Sequence, residues 1–149
     1  MDETHKLIAE LKTEEDTMFA TAGYAAAKAR YNTIDLATKV EGASPHRLIS
    51  VMYEELIQSL DTLAPGLSAN GTLTRANAIQ RKSRANAILL GLEGCLDHGQ
   101  GGELARGLAA IYREARRLID AGTAGHDPKP IIQAREMMSE IAEAWAGIG

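Results

Sequence analysis

The chain has 149 residues, 45% of them hydrophobic and 24% charged, with a formal net charge of −4. That is enough for one domain with a real core, and its acidic balance speaks against nucleic-acid or anionic-membrane partners. Aromatic residues make up only 4%, too few for a large β-sheet protein and in keeping with alanine-rich helices.

Residues 3–19 place Leu7, Ile8, Leu11, Met18 and Phe19 at roughly helical spacing among Glu10, Glu14, Glu15 and Asp16, the pattern of a weak amphipathic helix. Residues 1–22 are read as an N-terminal extension, either such a helix or a disordered acidic tail, and 23–149 as the helical domain. In the following segment, GYAAAKARYNTIDLATKVEG, the apolar stripe is thin: Tyr24, Ala27, Tyr31 and Ile34.

The stretch GASPHRLISVMYEELIQSLDTL announces a long helix from about Ser44 to Ala64, with Ser44 as cap, Pro45 in the first position, and Pro65-Gly66 as its stop. Its apolar residues come mostly as adjacent pairs: Leu48 and Ile49, Met52 and Tyr53, Leu56 and Ile57, then Leu60 and Leu63. Wound at about 100° per residue they spread over roughly 180°, more than the ~100° stripe one core face requires. This helix is expected either to be buried nearly all round or to keep part of its face for another chain.

A loop through Asn70-Gly71 leads to TLTRANAIQRKSRANAILLGLEGCLD, which offers Ile79, Ala87, Leu89, Leu92 and Leu96 for packing and is ended by HGQGG. The tandem RANAI within it is too short to be a structural repeat. The next helix carries Leu104, Leu108, Ile111, Tyr112, Ala115, Leu118 and Ile119 in three- and four-residue steps and breaks at Gly122 to Gly125. Asp127 and Pro128 then open a last helix with Ile131, Met138, Ile141 and Trp145 inward. Nothing alternates at period two over a strand's length. The expected fold is all-α: an antiparallel four-helix bundle with short connections and an additional short N-terminal helix or cap.

Enzymatic chemistry finds no support. A di-iron bundle needs Glu-x-x-His pairs on two helices, and none occurs. His5, His46, His98 and His126 fall at termini or loops without an i, i+4 partner, so no metal site is expected. Cys95, the single cysteine, excludes an intrachain disulfide and a thiolate cluster; Ser83 and Cys95 also lack an adjacent base. The basic runs RKSR and YREARR have only Tyr112 interleaved, which suits solvated faces or the rim of a groove better than single-stranded nucleic acid. The acidic start MDETHK has no long apolar run after it, and a reducing, cytoplasmic setting is expected. No catalytic residue, metal or cofactor is expected.

The strings ASPHRLISVMYEELIQSL and GGELARGLAAIYREARRLIDA, a later DP, and the closing IAEAWAGI resemble the flagellar secretion chaperone FliS family over residues 24 to 148. The features that carry the resemblance are Tyr31, Ser44 to His46, Gly101 to Leu104, and Ala144-Trp145. The turn GTAGHD departs from the Asn-Leu-Arg-Asn-Asp-like turn common in that family, and residues 1–22 are additional to it.

The resemblance implies a non-enzymatic, cytoplasmic export chaperone. Such a protein would bind the C-terminal segment of flagellin, prevent premature polymerisation, and help present the subunit to the type III export gate. A helical adaptor for another export or regulatory component is the alternative. Under the chaperone reading, Leu48, Ile49, Met52, Tyr53, Leu56, Ile111 and Tyr112 are the expected groove residues. Tyr31 and Ile34 are the expected anchors of a cap over residues 24–36, whose few contacts set against the entropy of ordering them make docking marginal. Self-association stays open.

Overall fold

The computed structural model describes residues 44–148, and they form four helices and no strand. These are α1 (Pro45–Gly66), α2 (Arg75–Gly94), α3 (His98–Ala124) and α4 (Pro128–Ala146). Residues 1–43, with Tyr31 and Ile34 among them, lie outside the described residues.

Each helix begins on a short polar side chain that satisfies otherwise orphaned backbone N–H groups. Ser44 Oγ accepts from Arg47 N at 3.1 Å, and Thr74 Oγ1 from Asn77 N at 3.1 Å. Asp97 Oδ1 accepts from Gly99 N and Gln100 N at 3.1 and 3.0 Å, and Asp127 Oδ1 from Lys129 N at 3.0 Å. Pro45 and Pro128 occupy first-turn positions, where a missing N–H costs nothing.

Two boundaries differ from the sequence-based expectation. α1 runs through Pro65 to Gly66 rather than stopping at Ala64, because a proline in the last turn loses a single helical hydrogen bond and its fixed φ still suits a helix. HGQGG, expected to be a loop, opens α3 as one helical turn on the Asp97 cap. The chain then bends at Gly102, whose φ of 52° and ψ of −127° only glycine adopts readily.

The turn GTAGHD closes α3 with a paired hydrogen-bond stop. Asp127 N–H donates to Gly122 O at 2.8 Å and His126 N–H to Thr123 O at 3.3 Å, with His126 in the left-handed region at φ 51°. Asp127 thus ends one helix with its backbone and starts the next with its side chain. Asp127→Ala should lower stability by about 0.5–2 kcal/mol, read as a shift in the urea midpoint at unchanged slope.

α1 packs against α2 and α4, and α3 packs against the same two helices. Ion pairs and hydrogen bonds tie the pairs along their lengths: Glu55 to Arg84 between α1 and α2, and Asp61 to Arg135 between α1 and α4. Between α2 and α3, Asp120 meets Lys82 and Asn86 while Glu93 meets Arg113 and Arg116. The core takes Ile49, Met52, Leu56, Leu60 and Leu63 from α1, Ile88, Leu89 and Leu92 from α2, Leu108 and Ile119 from α3, and Ile131, Met138, Ile141 and Trp145 from α4, each 2% exposed or less.

Candidate partner-binding surface

α1 is buried over an unusually wide arc. Val51, Glu55 and Leu48 lie on one flank, Met52, Leu56 and Leu63 in the middle, and Tyr53, Leu60 and Ala64 on the other. The three flanks follow from the adjacent apolar pairs: at 100° per residue a pair fills two neighbouring directions, so the helix faces α2, the interior and α4 at once. Of the expected groove residues, Leu48, Ile49, Met52, Tyr53 and Leu56 sit in this arc, at 5% exposure or less. Ile111 and Tyr112 are buried on α3 at 8% and 0%.

Tyr53 and Tyr112 are brought together across the bundle, with their hydroxyl oxygens 2.7 Å apart, one donating to the other. Both rings are fully buried, and loss of water around the phenolate pushes each hydroxyl well above its ordinary titration range. The pair is therefore a neutral, mutually satisfied polar contact inside an apolar core.

A second cross-element contact was not legible in the sequence. His46, in the first turn of α1, stacks on Trp145 near the end of α4, with ring centroids 4.6 Å apart and planes 13° from parallel. Trp145 Nε1 donates to His46 O at 3.1 Å, and His46 Nε2 lies 2.8 Å from Trp145 O. A carbonyl only accepts, so Nε2 carries the imidazole proton. The two residues close one end of the α1–α4 seam.

Toward the other end of that seam the surface opens. Leu60 and Ala64 form the floor of a cavity of about 300 Å³, Pro65, Pro128 and Ile132 its walls, and the Asp61–Arg135 pair part of its rim. Ile132 is 45% exposed, and so is Leu90 on α2, with Ile79 at 46%. Ile79 had been expected to pack; the buried line of α2 instead runs through Ala78, Ala85, Ile88, Leu89 and Leu92. Among the described residues no three His, Cys, Asp or Glu side chains are grouped to hold a metal. No helix among the described residues is long and apolar enough to cross a membrane. What the surface offers is apolar shape with a charged rim, suited to holding side chains of another polypeptide.

The run YREARR is accounted for on the surface. Arg113 and Arg116 reach Glu93 on the neighbouring helix, and Arg117 makes two hydrogen bonds to Glu114, which hold that carboxyl below its usual range.

Residues 27–149 match the family described as flagellar protein FliS. The chain is 30% identical over 119 residues to the flagellar secretion chaperone FliS of Salmonella typhimurium, covering 79% of this chain and 86% of that relative. It is 29% identical over 123 residues to the flagellar secretion chaperone FliSB of Pseudomonas aeruginosa, covering 80% and 92%. To the flagellar secretion chaperone FliS of Vibrio cholerae it is 25% identical over 120 residues, covering 77% and 82%.

Proposed function

Since this chain belongs to the FliS family of flagellar proteins, whose curated relatives are named flagellar secretion chaperones, we propose that it is a cytoplasmic export chaperone whose client is the C-terminal segment of flagellin. The observation that carries the reading is the family match from residue 27 to 149, which spans all four helices and the segment holding Tyr31 and Ile34. The paired contacts along α1–α2, α2–α3 and α1–α4 support treating the helices as an antiparallel bundle, with residues 23–149 as the chaperone domain.

In this proposal the wide arc of α1 serves two purposes. Its buried face fills the core, and its open edge on the α1–α4 seam, floored by Leu60 and Ala64 with Ile111 and Tyr112 in the core behind it, receives either the chain's own residues 24–36 or the client, the former anchored by Tyr31 and Ile34. Exchange of one amphipathic segment for another costs little, because most of the apolar area buried by the incoming helix replaces area vacated by the outgoing one. Binding holds the client's polymerisation segment apart until delivery to the export gate. No catalysis is involved.

Titration calorimetry of the full chain with flagellin, and with flagellin lacking its C-terminal segment, tests the client assignment. Binding to the first and none to the second is expected, and hydrogen exchange should show residues 24–36 losing protection when flagellin binds. Equal binding to both forms would overturn the assignment in favour of a helical adaptor with a different partner.

A further inference from the structure

One face of α2 keeps large apolar side chains in water. Ile79 and Leu90 are 46% and 45% exposed, Ser83 and Gly94 are exposed, and Ala87 is half-buried. At about 100° per residue these five positions fall on one line. Two large anchors therefore stand eleven residues apart along the helix, about 16 Å, with small residues between them. Cationic side chains flank the line: Lys82 on the side of α3, 3.7 Å from Asp120, and Arg84 on the side of α1, 3.4 Å from Glu55. Taken whole, α2 carries Arg75, Arg81, Lys82 and Arg84 against the single acid Glu93.

The complementary chemistry lies in the same chain, in residues that precede the family match. Asp2, Glu3, Glu10, Glu14, Glu15 and Asp16 against Lys6 and Lys12 give residues 1–22 a balance of −4, which is the net charge of the whole protein. The rest of the chain is thus neutral, and its surplus acid is concentrated in this extension. Its apolar residues repeat the spacing found on α2: Ile8 and Phe19 are eleven residues apart, as are Leu7 and Met18.

Charge is complementary in either direction. With Ile8 beside Leu90 and Phe19 beside Ile79, the two segments running in opposite senses, Glu14 falls level with Arg84 and Asp16 with Lys82. In the parallel arrangement, with Ile8 beside Ile79, Glu10 falls level with Arg81 and Glu14 within one residue of Arg84. Residues 20–43 supply the tether, and at up to about 3.3 Å per residue they outreach the roughly 30 Å length of α2.

We propose that residues 3–19 dock as an amphipathic helix on the Ile79–Leu90 face of α2 in the same molecule. This surface is distinct from the α1 arc assigned to the client, and the docked extension covers it whether or not flagellin is bound.

The test uses the full chain. Cys95 is fully buried, so a nitroxide attached to Thr13→Cys labels the extension alone. Selective loss of amide signal along α2 between Ile79 and Leu90 is expected, absent when the label is chemically reduced. The loss should diminish in about 1 M salt, where the screening length is about 3 Å. It should vanish with Ile79→Asp/Leu90→Asp on the surface or Glu14→Lys/Asp16→Lys on the extension. A mixture of spin-labelled protein with unlabelled isotope-enriched protein separates the alternatives: signal loss in that mixture would assign the face to a second copy and overturn the proposal. So would loss confined to another helix, no loss anywhere, or loss indifferent to both double variants. None of these outcomes bears on flagellin binding, which is read separately.

Discussion

Trp145→Ala should destabilise the protein by about 3–5 kcal/mol, the largest single-site loss expected. Trp145 is 1% exposed and among the largest fully buried side chains, so its removal opens a cavity near the end of α4 that alanine does not fill. Two further contacts go with it: the stack on His46 and the hydrogen bond from Nε1 to His46 O. Trp145→Phe retains a buried ring and loses the donor, so it should cost less, with the hydrogen bond accounting for about 1 kcal/mol of the loss. Circular dichroism in urea measures both, because Trp145 is the single tryptophan and fluorescence disappears with it. An Ala variant within about 1 kcal/mol of the parent would mean that the α1–α4 seam relaxes to fill the gap, which close-packed interiors resist.

The helices were legible because their starts are chemical events. Ser44, Asp127 and the prolines behind them announce α1 and α4, and the three- and four-residue steps from Leu104 to Ile119 announce α3. The inward face of α2 is hidden in the sequence at Ile79 because its buried line leans on Ala78 and Ala85, whose small apolar signal is outweighed by a nearby isoleucine. The breadth of α1 was visible in its adjacent apolar pairs, but which flank meets which neighbour depends on the packing of α2 and α4. His46 with Trp145, and Tyr53 with Tyr112, are separated by 99 and 59 residues. No local pattern predicts such contacts, since they follow from how helices meet in space.

Turn chemistry shows the same division. GTAGHD differs from the turn expected of the family, yet its backbone closes α3 with the hydrogen bonds such a stop requires, and Asp127 caps α4. Helix geometry can thus be kept while the exposed side chains of a turn change. The groove between α1 and α4 has no local sequence signature either, because Pro65 and Pro128 signal only helix punctuation along the chain, whereas in the fold they and Ile132 wall an apolar cavity.

The Tyr53–Tyr112 contact should behave as a unit. Tyr53→Phe or Tyr112→Phe alone leaves one fully buried hydroxyl without its partner and should cost about 1–3 kcal/mol, whereas the double replacement should be nearly neutral. A double-mutant cycle in urea reads the difference as a coupling energy. Alkaline pH gives a second signature, with its sign set by burial. In the unfolded chain both tyrosines ionise near their ordinary value of 10.0, while in the fold desolvation holds them protonated well above it. The unfolded state therefore releases protons first, and stability that is intact below pH 10 should fall above it. Each tyrosine contributes about 1.4 kcal/mol per pH unit, continuing until the folded hydroxyl itself ionises. Relative to the parent, the double Phe variant should lose both contributions, so that its stability above pH 10 exceeds that of the native protein. Equal alkaline slopes for the two would mean that the hydroxyls reach water in the folded state, which their burial opposes.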